Sequence, residues 1–147
     1  MNKPGTNKHG GSFVEIEHTA DLAIEVTADT PAGLFAASAE ALFSLIADPQ
    51  TIDTREEVTV STGAGDIEEL LHAWLSELLA QFNLTGFVGR ECRISLIDDR
   101  QVEGTIKGEP LDLSRHHFYT EIKGVTYHDF RVWQENDSWR ARVVFDV

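Results

Sequence analysis

Between Asp66 and Gly86 the chain places apolar side chains at Leu70, Leu71, Trp74, Leu75, Leu78, Leu79 and Phe82, a spacing that an α-helix gathers onto one broad side. That side approaches the density of a fully buried helix, so the rest of the fold must supply a large apolar surface to cover it. Asp66 with Glu69 three residues on forms a start resembling a capping box, although Ser or Thr is the usual cap there, and Gly86 fits the termination. A second helix is predicted from Pro31, after Asp29-Thr30. Its stripe of Leu34, Phe35, Ala41, Leu42, Leu45 and Ile46 ends before Pro49.

Strands supply the cover. Val14, Ile16 and His18 share one face of a run that begins near Phe13, and Leu22, Ile24 and Val26 share one face of the next. Val58 and Val60 suggest another strand. Further strands are predicted at about 91–97, 101–107, 119–126, 130–134 and 139–145, with turns at 98–100 and 135–138 and a loop over 112–117. This order predicts an α+β domain, two helices packed on a largely antiparallel sheet, and not a doubly wound fold. One compact domain over 13–147 can bury a core without disulfides. The polar, Gly-rich leader 1–12 is expected to be disordered and lacks the apolar stretch of a signal peptide.

Charge narrows the function. Twelve Lys and Arg against twenty-five Asp and Glu leave −13, which repels phosphate backbones and favours a basic protein partner or a bound cation over nucleic acid. The single Cys92 rules out an internal disulfide and a thiolate-rich zinc site. It alternates with Ile94 and Leu96 and reads as a core residue in a reducing cytoplasm. No segment approaches a membrane span. No phosphate-binding loop or nucleophile elbow is present, and the adjacent His116 and His117 point apart in an extended chain, unlike zinc ligands.

The last strand, Trp139 to Phe145, runs into Asp146 and the free α-carboxylate of Val147. A packed sheet would hold these two anionic groups at one spot. If Asp21, at the corner His18-Thr19-Ala20-Asp21, met them, hard oxygen ligands for Ca²⁺ or Mg²⁺ would be assembled. Asp21 reads equally as a turn residue accepting local N–H bonds, and Asp146 as a surface partner of Arg140 or Arg142. His18 is expected in the core or behind the ligands, hydrogen-bonded, and not as a ligand itself. Asp48 reads as a pre-proline turn residue that could face the same corner. Lys123, Tyr127 and His128 lie near a strand bend, with Lys123 solvated on an amphipathic strand.

His18-Thr19-Ala20-Asp21, the helix Asp66 to Leu79, Lys123-Gly124-Val125-Thr126-Tyr127-His128 and the terminal Phe145-Asp146-Val147 together closely resemble the archease family, in the expected order and across 13–147. The resemblance implies a non-enzymatic protein cofactor of the tRNA-splicing RNA ligase, which joins 2′,3′-cyclic phosphate or 3′-phosphate ends to 5′-hydroxyl ends. The cofactor promotes ligase guanylylation and multiple turnover. It further implies a divalent metal, Ca²⁺ first with Mg²⁺ or Mn²⁺ as alternatives, held by Asp21, Asp146 and a main-chain oxygen of Val147. His18, Asp48, Lys123, Tyr127 and His128 would support that site or touch the partner. Gly124 stands where many relatives have Ala, and the polar leader exceeds the usual start. The rival readings are a metal-dependent phosphoester hydrolase with His18 as base and an RNA-binding chaperone module.

Overall fold

A computed structural model describes residues 4–6, 10–18 and 21–147, without the side chains of 4–6, 17 and 18. The elements in order are β1 (Pro4–Thr6), β2 (Ser12–His18), β3 (Asp21–Ala28), α1 (Pro31–Ile46), β4 (Glu56–Gly63), α2 (Ile67–Thr85), β5 (Phe87–Ile97), β6 (Gln101–Pro110), β7 (Gly124–Val125), β8 (Arg131–Glu135) and β9 (Ser138–Asp146), with a 3₁₀ turn at Pro49–Thr51. The strands form two sheets: β1-β2-β3-β9-β7 with β8 also on β9, and β4-β6-β5. Every pairing among the described strands is antiparallel. Both helices touch strands of both sheets, and one apolar core runs through all of them. The α+β expectation holds. No helix is long and apolar enough to cross a membrane among the described residues.

Both helices start and stop where their local chemistry directs. Thr30 Oγ1 accepts from Gly33 N at 3.0 Å to open α1, and Asp66 Oδ1 accepts from Glu69 N at 2.8 Å to open α2. Gly86 closes α2 at φ 78°, a left-handed conformation that a side chain would oppose, and its N–H donates to Phe82 O at 2.7 Å. The enclosure differs from the expectation. It is α1 that is buried on nearly every side, from Gly33 to Ile46, because Ala36, Ala37, Ala39 and Ala41 let neighbours approach the faces that a stripe of large residues would leave to solvent. α2 keeps Glu68, Glu69, Asn83 and Leu84 exposed.

Register corrects three expectations about the strands. Phe13 lies opposite Val26 and Glu15 opposite Ile24, so β2 turns Phe13 toward the helices while Val14 and Ile16 occupy the outer face, with His18 at the same register parity. A bulge between Ile94 and Leu96 breaks the alternation of β5, leaving Cys92 in the core but Leu96 48% exposed. The strand predicted over 119–126 shrinks to Gly124–Val125. Its first half docks instead on the end of α1, where Tyr119 N donates to Ile46 O at 2.8 Å and Asp48 N donates to His117 O at 2.9 Å. Carbonyls at a helix end lack intrahelical donors, and this segment supplies one. Within the leader expected to be disordered, Pro4–Thr6 pairs with β2, which starts at Ser12; residues 1–3 and 7–9 lie outside the described residues.

Cys92 behaves as a core thiol. Burial first, and then the Glu40 carboxylate, which accepts from the Cys92 N–H at 2.9 Å, push its pKa well above the ordinary value. It stays protonated and is a poor nucleophile.

Candidate functional site

The end of the chain is held as its sequence pattern requires. Trp139, Ala141, Val143 and Phe145 face the core, with the last three fully buried, and β9 is pinned between β3 on one side and β7 and β8 on the other. The β3–β9 ladder ends with Leu22 opposite Phe145. Continued by one step beyond that pair, the same register would set Asp21 opposite Asp146. Asp21 is itself opposite His18, and Asp146 opposite Gly124. That register gives both aspartates the outer-face parity, and directly opposed residues in such a ladder have Cα atoms about 4.5–5.5 Å apart. Val147 follows, 37% exposed.

Like charges placed this close repel unless solvated or bridged by a cation. Asp146 is not drawn off by the arginines of its own strand: Arg140 Nε lies 3.3 Å from Glu135 and Arg142 4.0 Å from Glu25. A divalent cation fits the donor chemistry of this row, two carboxylates followed by the main-chain oxygen of Val147. Among the described residues no group of three or more His, Cys, Asp or Glu side chains could hold a metal, so any cation here would depend on main-chain oxygens and water. Residues 19 and 20 and the side chain of His18 lie outside the described residues.

Other predicted site residues divide. Lys123 belongs to the corner through its backbone, its N–H donating to Asp146 O at 2.7 Å, with the side chain exposed. Gly124 has open space where a Cβ would stand. Asp48 serves the turn: its Oδ1 accepts from Gln50 N at 3.0 Å and caps the 3₁₀ turn. Tyr127 and His128 lie in a tight bend closed by Phe130 N donating to Tyr127 O at 3.3 Å, with Asp129 at φ 56°. Both side chains are exposed. His128 Nε2 lies 3.4 Å from Asp129 Oδ2.

Two groups escape sequence reasoning. His72, on the buried side of α2, bonds Val125 O at 2.9 Å and stacks on Tyr127 at 3.8 Å with an interplanar angle of 9°. Its helical spacing with the leucines gave a signal, masked by their number. The second is Glu109, 2% exposed, which accepts from Asp53 N at 2.7 Å, Arg55 Nη2 at 2.6 Å and Arg115 Nη2 at 2.6 Å, and meets His116 Nε2 at 2.9 Å. His116 Nδ1 accepts from Asp112 N at 2.8 Å, so Nε2 carries the proton donated to Glu109. This network ties the 111–117 loop to the chain before β4. A lone Glu inside an alternating strand was its only sequence sign.

Burial works to raise the Glu109 pKa, but the Asp53 amide, the two guanidiniums and His116 together hold it far below the ordinary 4.5. A folded-state pKa below the unfolded one stabilises the fold above 4.5 and loses that contribution as pH falls below it, because only the unfolded chain takes up the proton. Glu109→Gln should therefore destabilise the protein at pH 7, with the gap from the native chain shrinking as pH falls to about 3. Urea melts at the two pH values measure this, and a constant gap would contradict it.

The model of the Archease protein family (MTH1598/TM1083) matches residues 13–147. The protein archease of Methanopyrus kandleri is 41% identical over 136 residues, covering 90% of this chain and 97% of that one. The solution structure of Methanobacterium thermoautotrophicum protein 1598 superposes with a TM-score of 0.78 at 27% identity, covering 95% of this chain and 100% of that one. An archease of Thermotoga maritima, described as a possible chaperone, shares the fold at a TM-score of 0.65 and 23% identity, covering 90% and 94%. With its order of elements, its acidic terminal row and this agreement along nearly its whole length, the chain belongs to the archease family.

Proposed function

We propose that this protein activates an RNA ligase of the tRNA-splicing type, promoting its guanylylation and repeated turnover, and that it does so through a divalent cation at the Asp21–Asp146 corner. The observation that supports the reading is the β3–β9 register, which runs to Leu22 opposite Phe145 and, continued by one pair, would set the two aspartates side by side on a strand held by β3, β7 and β8. Ca²⁺ suits the flexible, partly aqueous oxygen shell such a corner offers, with Mg²⁺ and Mn²⁺ as alternatives. A bound cation would neutralise charge beside nucleotide phosphates, where phosphoryl transfer depends mostly on positioning and charge compensation. Asp21 and Asp146 hold the cation, Val147 adds a main-chain oxygen, and Lys123, Tyr127 and His128 meet the partner. The net charge of −13 favours a protein surface over RNA as the direct contact.

A ligation time course with catalytic amounts of ligase, GTP and metal tests this. Addition of the protein should convert a reaction that stalls near one turnover into a continuing one, and should raise the ligase–guanylate yield. An unchanged time course and yield would refute the proposal. Hydrolysis of a phosphoester by the isolated protein would move the assignment to the hydrolase reading, and salt-dependent RNA binding without ligase to the chaperone reading.

A further inference from the structure

The strand that completes the acidic corner is only two residues long, Gly124–Val125, at the edge of its sheet. A ladder that short is marginal by itself. Yet Lys123 N–H and Thr126 N–H both reach β9, at 2.7 Å to Asp146 O and 3.0 Å to Val144 O. Burial of Ile122 in the core and packing of Val125 against it anchor the segment without fixing its orientation, and a polar contact that does comes from one side chain of α2.

We infer that His72 is the positioning residue of the corner, clamping 123–127 against β9 and so setting where Asp146 and Lys123 stand. His72 is 8% exposed. Burying an imidazole in an apolar helix face is costly unless it is hydrogen-bonded, and its partner lies on the short strand. Because a carbonyl can only accept, Nε2 carries the proton and donates to Val125 O at 2.9 Å, leaving Nδ1 as the acceptor facing Ser76 Oγ at 3.4 Å. The ring lies flat on Tyr127, 3.8 Å between centroids, and Phe130 closes its edge at 5.2 Å and 72°. One side chain therefore fixes the strand by a hydrogen bond and the following bend by a stack. Stacking also orders Tyr127, which is 73% exposed, before any partner arrives, and a preordered aromatic loses little entropy on contact.

The inference rests on the corner being the working part of the molecule, and the test separates the two. Backbone amide exchange is measured on the labelled full chain, together with Ca²⁺ titration followed at the Asp146 amide. In His72→Ala, exchange at Lys123 and Thr126 should accelerate by about tenfold or more while the β3 amides keep their protection, as expected of local opening. His72→Phe keeps a ring without the donor, and His72→Gln keeps a donor without the ring; both should fall between Ala and the native chain. Ca²⁺ affinity should weaken in the same order, as when a support behind a ligand is removed. Protection of Lys123 and Thr126 unchanged in Ala, or in both Phe and Gln if Ala does not fold, would overturn the role of His72. If the native chain binds none of Ca²⁺, Mg²⁺ and Mn²⁺ the metal reading fails, and the exchange result alone then decides for or against the clamp.

Discussion

Asp146→Ala should abolish stimulation of ligase turnover and lower cation affinity by at least about tenfold, since a small oxygen site loses one of its two carboxylates. The domain should remain folded. Asp146 is exposed, its side chain lies on the outer face, and substitutions at such positions usually change stability by no more than about 0.5 kcal/mol. Asp21→Ala should act in the same direction, because the β3–β9 register continued by one pair would set it opposite Asp146. Ligation assays, Ca²⁺ titration and thermal melts on the same preparations distinguish loss of function from loss of fold. Normal stimulation by both variants with unchanged metal affinity would dismiss the corner as the working site.

The largest stability effect is expected from Trp74→Ala. Trp74 is fully buried, donates its indole N–H to Phe35 O at 3.2 Å, and lies so close to Gly104 that a Cβ there would stand 2.9 Å from its ring. Truncation leaves a cavity at the junction of α1, α2 and β6 and strips Phe35 O of a donor. Together these should cost about 3–5 kcal/mol and lower the melting temperature by on the order of 10 °C. Under native conditions the variant that still folds should stimulate ligation normally per folded molecule, since Trp74 packs on Phe35 and Gly104 in the core. A melting temperature equal to that of the native chain would contradict the packing described for α2.

What could be read along the chain was whatever depends on neighbours in sequence. Helical spacing and caps located both helices, with Thr30, Asp66 and Gly86 at their ends. Alternation located the terminal strand, and the turn at 135–138 falls between β8 and β9, with Asn136 and Asp137 at positive φ. The candidate ligands Asp21 and Asp146 stood out as acids at a corner and at an ordered chain end.

Tertiary structure decided the rest, because period-two alternation names two faces without saying which is inward or which residue stands opposite which. Only the pairing of β2 with β3 turned Phe13 inward and put His18 opposite Asp21, and only the pairing of β3 with β9 brought Leu22, next to Asp21, opposite Phe145, next to Asp146, across more than a hundred residues of chain. His72 looked like one more position on an apolar helix until β7 supplied its carbonyl. Glu109 and His116 became partners when the 111–117 loop folded back over β6. Composition and periodicity, being local, determined the elements and the acidic character of this protein; the ladder register and loop docking, being set by contacts between distant segments, determined which residues the candidate site brings near one another.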